Sequence, residues 1–158
     1  MKKLTTVLLT SLLVFGTAAC SNIDKTSADA PNQPGVDTNA PTKTEAQQDL
    51  GDAQSQIRRK QLDEDIQARE QRNDFFNNGS GKNRPDSDIA SEVRDKLEAN
   101  LPSSELTIDS QQGIVTVGGT VPTPEQLARI KSLTKQIKGV NGVKVEANVV
   151  AAGTNQPS

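Results

Sequence analysis

Regularly spaced apolar residues predict a folded unit in the second half of the chain. Ile89, Val93 and Leu97 recur every four residues in SDIASEVRDKLEANL, which indicates an amphipathic helix. Ser87 or a neighbouring Asp is expected to cap this helix, and Pro102 to end it. In the stretches ELTID and GIVTVGGTV, apolar and polar residues alternate, as in strands with one buried face. The turn-forming SQQG lies between these stretches, so they predict a β-hairpin.

The second predicted helix has the clearest start signal in the chain. Thr123 is positioned as the cap, Pro124 occupies the first turn, and Gln126 completes a capping box. The apolar stripe of this helix extends to Ile137, and Gly139 is expected to end it.

A final strand is indicated by VKVEANVV, which alternates apolar and polar positions. The sheet is therefore expected to be buried on one face and wet on the other. The element order is helix, strand, strand, helix, strand. We predict an α+β fold of the αββαβ type over residues 86–150, with two helices on one face of a three-stranded mixed sheet.

The rest of the chain divides into segments of distinct composition. Residues 20–45 are rich in Pro, Asn, Thr and Asp and are predicted to form a disordered tether. Residues 46–76 hold helix formers with sparse apolar positions, typical of a charged, solvated and partly formed helix. Residues 77–85 read NNGSGKNRP and are predicted to be a linker, and residues 151–158 a disordered tail.

Aromatic residues are scarce: the chain has no Trp, no Tyr and only three Phe, all before residue 80, so the core is expected to be aliphatic. Phe75 and Phe76 close the charged helical segment. They are positioned to pack on the following domain or to contact a membrane, and we expect packing on the domain.

Residues 1–19 have the pattern of a signal peptide. Lys2 and Lys3 precede the apolar LTTVLLTSLLVF, which is too short to span a bilayer, and small residues follow. The sequence up to Cys20 resembles a bacterial lipoprotein signal, which implies that this cysteine is acylated and becomes the first mature residue. Thr17 stands where that signal usually has Leu, and ordinary signal peptidase is the alternative. A lone thiol is a liability in an oxidising compartment, which favours lipidation of Cys20.

Composition narrows the functional classes. The chain of 158 residues has a net charge of -2, and loss of Lys2 and Lys3 makes the mature chain more acidic, which argues against nucleic acid as a partner. The chain contains no His, no Tyr and a single Cys, and its Asp, Glu and Ser residues show no spacing that suggests a nucleophile with its base. A hydrolase that uses carboxylates alone is the enzymatic alternative, and zinc lacks its usual His and Cys ligands. We predict a protein that is not an enzyme and uses no metal or other cofactor.

The stretch VGGTVPTPEQL joins two glycines to a helix start, as some phosphate-binding loops do. A P-loop would add a Lys and a Ser or Thr after its last glycine, and this pattern is missing here. Pro124 removes one amide donor from the helix start. Gly118 and Gly119 are therefore interpreted as structural glycines that permit a bulge or a close approach of helix and strand, and Gly139 as a structural glycine at the helix end.

Four lysines form a candidate patch for lipid headgroups. Lys131, Lys135 and Lys138 fall within an arc of roughly 60° on the second helix, at 100° per residue. Lys144 opens the next strand nearby. The alternative is an ordinary solvated helix edge.

The run GIVTVGGTVPTPEQLARIKSLTKQIKGVNGVKVEANVV resembles the second half of a BON domain, and SDIASEVRDKLEAN resembles its first helix. The resemblance covers residues 86–150. It implies a small αββαβ module of bacterial envelope and osmotic-stress proteins that binds phospholipid surfaces or envelope partners. Many members carry two such modules, whereas this sequence contains one.

These features together predict a bacterial envelope lipoprotein. We expect a periplasm-facing protein anchored through Cys20, in the outer rather than the inner membrane because Ser21, not Asp, follows the cysteine. Its domain is expected to bind anionic phospholipid or envelope proteins and to serve envelope integrity or osmotic stress. The alternative is a membrane-tethered protein adaptor that does not bind lipid directly.

Overall fold

The computed structural model of the protein describes residues 22–36, 51 and 55–150. The predicted signal peptide, Cys20 and the predicted tail lie outside these residues. The elements, in chain order, are β1 (Ile23–Lys25), α1 (Gln56–Asn77), α2 (Asp86–Asn100), β2 (Glu105–Gln111), β3 (Ile114–Val121), α3 (Pro124–Thr134) and β4 (Gly142–Val149).

The strands form one sheet in the order β1-β2-β3-β4. β1 pairs with β2, and β2 with β3, in antiparallel fashion, whereas β3 and β4 are parallel. The antiparallel pair β2–β3 is the predicted hairpin, and α3 connects the parallel pair. The predicted α+β class and the αββαβ order over residues 86–150 are confirmed.

The core lies between one face of the sheet and the helices α2 and α3. The spacing of four in α2 is confirmed, because Ile89, Val93 and Leu97 are all buried there. The core is aliphatic, as the composition predicts, and its buried members are Ile89, Ala90, Val93, Leu97, Leu101, Leu106, Ile108, Val115, Val117, Val121, Ile130, Leu133, Ile137 and Ala147.

The expected disordered tether is wrong for residues 22–36, and the sheet has a fourth strand. Ile23 of β1 lies opposite Asp109 of β2. The amide of Thr26 donates to the carbonyl of Leu106 at 2.9 Å. Without β1, the unpaired backbone groups of β2 would form an exposed sheet edge. The composition of the segment does not reveal this pairing, because the partner strand is distant in sequence.

The polar face of the sheet is partly covered where a wet face was expected. Residues 26–36 cross this face, and the hydroxyl of Thr107 donates to the carbonyl of Pro31. Ala30 is 3% exposed and Thr107 fully buried. Residues 26–36 therefore shield the Thr107 hydroxyl from water and also give it a hydrogen-bond acceptor.

Gly118 and Gly119 permit two different close approaches, neither of them to α3. A Cβ at Gly118 would lie 2.5 Å from the Cα of Pro34, so the missing side chain admits the N-terminal segment. Gly119 has a φ of +105°, and a Cβ there would lie 2.0 Å from the carbonyl oxygen of Glu105 on β2. The expected contact between helix and strand is thus replaced by contacts with two backbone segments.

α1 is a regular helix of 22 residues, not the partly formed helix expected. The hydroxyl of Ser55 caps it by accepting from the amide of Arg58 at 2.9 Å. α1 packs against α2 and buries Leu62, which is 1% exposed. Three ion pairs complete the attachment: Arg58–Glu98 at 2.7 Å, Arg69–Asp88 at 3.3 Å and Arg84–Glu70 at 2.8 Å.

α3 begins as predicted but ends early. Thr123 caps it by accepting from the amide of Gln126 at 3.3 Å. The helix ends at Thr134, and tighter turns with hydrogen bonds from residue i to i-3 bring Ile137 into the core. Gly139 follows with a φ of +96°.

β4 is an edge strand, and this position changes the expected burial of its apolar residues. Val145 is 36% exposed and Val149 39% exposed, although the alternating pattern predicts both to be buried. Ala147, between them, is 8% exposed. An edge strand lacks a neighbour on one side, and the short α3 does not cover its full width.

Gly119→Ala is expected to lower the free energy of unfolding by about 1–3 kcal/mol, because alanine is strained at this φ and meets the Glu105 carbonyl. Urea denaturation monitored by circular dichroism measures the change. Gly51→Ala is the matched control, since a Cβ there meets no atom within 4 Å. Unchanged stability of the Gly119 variant would contradict the backbone geometry of β3.

Gly118→Ala is expected to release the N-terminal segment and leave the core intact, because the new methyl group displaces Pro34 and Gly35. Limited proteolysis should then cut faster within residues 26–36 than in the wild-type chain. Equal cleavage rates in both proteins would show that the segment does not pack on the sheet.

Candidate functional site

Two lysines of the predicted headgroup patch are available for binding. Lys131 lies in the last turn of α3, and Lys135 caps the end of this helix. Both side chains are exposed, and neither forms an ion pair with another described residue. Arg129 is exposed on the same helix and donates to the carbonyl of Asn100 at 3.4 Å.

The other two lysines of the patch are paired with carboxylates. Lys138 lies beyond the end of α3, where its Nζ is 2.9 Å from Glu70 and 3.6 Å from Asp74. The hydrogen bond to Glu70 raises the pKa of Lys138. Lys144 pairs with Glu146 at 2.5 Å on the opposite face of the sheet from α3. The four lysines therefore do not form one patch, because the helix ends before Lys138 and Lys144 lies on the other face of the sheet.

The turn between β2 and β3 is held by a carboxylate at the start of α2. Asp86 accepts from the amides of Gln112 at 2.7 Å and Gly113 at 2.9 Å, and from the hydroxyl of Ser110 at 2.8 Å. Burial acts to raise the pKa of Asp86, but the hydrogen bonds outweigh burial and lower it. The expected side-chain cap from Ser87 or an Asp is absent here, because Pro85 is the cap residue and Asp86 bonds the turn.

Several loops meet at this end of the sheet, which we call the hairpin end. It consists of Asn22 and residues 78–85, 111–114 and 138–142. The amide of Asn141 donates to the carbonyl of Gly113 at 2.8 Å. A Cβ at Gly81 would lie 3.2 Å from the amide nitrogen of Gly139. The amide of Ser110 donates to the carbonyl of Asn22 at 3.3 Å.

The loops of the hairpin end surround an open cleft of about 710 Å³. Its walls include the side chains of Lys82, Asn83, Gln112 and Asn141. These groups offer one cation and several amides, which suit a polar ligand or a lipid headgroup better than an apolar one.

A buried ion pair lies beneath the cleft. The side chains of Arg84 and Glu92 are 1% and 0% exposed, and an Nη of Arg84 donates to a carboxylate oxygen of Glu92. Arg84 also donates at 2.8 Å to Glu70 of α1 and at 2.8 Å to the carbonyl of Lys138. One guanidinium group therefore joins α1, α2 and the turn after α3. Sequence reasoning missed this group, since Arg84 lies in a segment that was interpreted as a linker.

Two carboxyl groups on α2 are perturbed by burial. Burial raises the pKa of Glu92 to about 7 and that of Asp95 to about 6. The Oδ1 of Asp95 lies 2.6 Å from a guanidinium nitrogen of Arg94, and Arg69 of α1 also acts to lower its pKa. A carboxyl group with a raised folded-state pKa keeps its proton at a pH at which the unfolded chain releases it. Stability therefore falls as pH rises towards these values.

The two aromatic residues at the end of α1 are not packed on the domain, and the expectation that they dock there is wrong. Phe75 is 81% exposed and Phe76 75% exposed. Their rings contact each other edge to face, with centroids 4.9 Å apart. α1 is held on α2 through other residues, so its last turn presents both rings to solvent.

Within residues 22–36, 51 and 55–150, no helix is long and apolar enough to cross a bilayer. The same residues contain no group of three or more His, Cys, Asp or Glu side chains that could hold a metal ion.

Comparison with protein families gives one match. Residues 85–151 match the model of the BON family, described as BON domain. The matched segment covers α2, β2, β3, α3 and β4 and leaves out β1 and α1. Searches of curated proteins and of solved structures found no match.

Glu92→Gln is expected to reduce the pH dependence of stability between about pH 5 and 7, and Asp95 supplies the part that remains. Burial raises the pKa of the wild-type carboxyl group, so the free energy of unfolding falls as pH rises across this range, whereas an amide does not titrate. Urea denaturation at several pH values measures the slope. Glu64→Gln is the control, because Glu64 is exposed and pairs only loosely with Lys60 at 3.7 Å. An unchanged slope in the Glu92 variant would contradict the assignment.

Proposed function

Because residues 85–151 are a BON domain, we propose that this protein is a lipid-anchored binder of phospholipid surfaces in the bacterial envelope. BON domains are a non-catalytic family of binding domains known for association with phospholipid and membranes. The observation that carries the proposal is a pair of exposed lysines on a helix of this domain, Lys131 and Lys135, which have no ionic partner among the described residues.

The outer side of α3 has the charge that an anionic bilayer attracts. Lys131 and Lys135 are four residues apart, so they lie on one side of the helix end. The single acidic residue of α3, Glu125, is in the first turn. Each lysine near an anionic surface contributes about 1 kcal/mol, which gives weak binding when the domain acts alone.

A lipid anchor makes such weak binding effective. Acylation of Cys20 holds the domain at the membrane and raises its effective concentration there. Ser21 at the following position directs the lipoprotein to the outer membrane, facing the periplasm, where the domain supports envelope integrity or the response to osmotic stress.

Replacing Lys131 and Lys135 by Gln is expected to weaken binding to anionic vesicles at least about tenfold and to remove most of its salt dependence, since two cations are lost. The measurement is vesicle flotation of the mature chain that carries Cys20→Ser and therefore has no acyl group. Binding to zwitterionic vesicles should stay the same.

Replacing Lys60 and Lys144 by Gln is the matched control. It removes the same formal charge, but from lysines that are paired with Glu64 and Glu146 and lie away from α3. If the two double variants bind equally well, the lysines of α3 are not the lipid site, and the protein-adaptor function is the better proposal.

Cys20→Ala is expected to abolish labelling of the protein by a radioactive fatty acid, because the thiol is the acylated group. Metabolic labelling followed by immunoprecipitation measures this. The wild-type protein should carry the label in the outer-membrane fraction. Label that persists in the alanine variant would rule out Cys20 as the anchor.

A further inference from the structure

We propose that the hairpin end faces the bilayer and that Phe75 and Phe76 insert into the lipid interface there. This inference rests on the proposed function, because it takes Cys20 as the lipid anchor. The lysines of α3 provide only electrostatic attraction to a bilayer. The proposed insertion specifies how the domain is oriented on the bilayer and which apolar side chains contact it.

The position of the first strand fixes which end of the domain an anchor can reach. Asn22 is hydrogen-bonded to Ser110, one residue before the end of β2, so the chain enters the sheet beside the β2–β3 turn. Only Ser21 separates Asn22 from Cys20. Two residues of chain reach at most roughly 7 Å, so an anchor at Cys20 has to hold the hairpin end close to the bilayer. The long tether expected from composition would have allowed the domain to stand away from the membrane, and the observed strand does not.

The exposed phenylalanines lie at the same end. They belong to the last turn of α1, and the preceding residue, Asp74, is 3.6 Å from the Nζ of Lys138. Lys138 precedes Gly139, which contacts Gly81 of the loop after α1. The last turn of α1 therefore borders the loops that also adjoin the β2–β3 turn.

The groups exposed at this end match the chemistry of a membrane interface. Phe75 and Phe76 present two large apolar rings, and Ile114 beside the β2–β3 turn is 48% exposed. Lys82 lines the cleft at this end, and Lys135 caps the end of α3 that leads into its loops. Apolar rings that enter the acyl boundary, with lysines beside them at the headgroups, are typical of proteins that lie on a bilayer. The bilayer is the expected occupant because the anchor holds this end against it.

The opposite end of α1 provides an internal control. Ile57 is 73% exposed, as strongly as Phe76, but it lies 19 residues earlier on the same helix. At 1.5 Å per residue, the two positions are about 28 Å apart along the helix, so Ile57 stays outside the interface when the hairpin end faces the bilayer.

The orientation is tested with single tryptophans, since the chain contains no Trp and no Tyr. Phe76→Trp and Ile57→Trp are each made in the acylated protein and reconstituted in vesicles whose acyl chains are brominated. The emission of the Phe76→Trp protein should shift to the blue and lose intensity relative to vesicles without bromine. The emission of the Ile57→Trp protein should stay the same in both.

Full emission from the Phe76→Trp protein, or equal quenching at both positions, would overturn the proposed orientation. The acyl chain holds both proteins on the vesicles equally. These outcomes therefore bear on the orientation and not on membrane attachment itself.

A second experiment separates this inference from the proposed function. In the mature chain with Cys20→Ser, replacing Phe75 and Phe76 by Ser should weaken partition into both zwitterionic and anionic vesicles by about tenfold, largely independently of salt. Thermal melting should stay the same, because both rings are exposed.

The two double variants give distinguishable results. Loss of binding in the lysine variant together with normal binding in the phenylalanine variant would overturn the inserted phenylalanines and leave the proposed function intact. Failure of the parent chain to bind either kind of vesicle would overturn both.

Discussion

The buried guanidinium group of Arg84 is the interaction on which the arrangement of this protein depends. A charge removed from water must be paired, and Arg84 meets this demand with Glu92, Glu70 and the carbonyl of Lys138. These partners come from three separate parts of the chain. Satisfying one cation therefore fixes α1 against α2 and fixes the turn after α3 against both. The position of α1 then decides where its last turn exposes the two phenylalanines.

The N-terminal segment imposes the second constraint. By pairing with β2 and crossing the polar face of the sheet, residues 22–36 remove an exposed strand edge and bury Thr107. Gly118 accommodates this crossing because it has no side chain to meet Pro34. The same pairing brings Asn22 to the hairpin end. Protection of the sheet edge and the point at which the chain enters the sheet thus have one structural cause.

Much of the fold was accessible from sequence because its determinants are local. The spacing of Ile89, Val93 and Leu97, the alternation in β2 and β3, and the cap at Thr123 each follow from a few neighbouring residues. The candidate site was only partly accessible. A helical wheel places Lys138 beside Lys131 and Lys135, but α3 ends at Thr134 and Lys138 pairs with Glu70 instead.

The sequence by itself determined the αββαβ order, the aliphatic core and the start of α3, because periodicity and capping are properties of adjacent residues. Only the tertiary structure decided that residues 22–36 add a strand, that α1 packs on α2, and which lysines form ion pairs. These outcomes depend on partners far apart in the chain, and no local pattern identifies such partners. The burial of Arg84 with Glu92 also depends on distant partners, since arginine and glutamate are residue types that usually lie on the solvent-exposed surface.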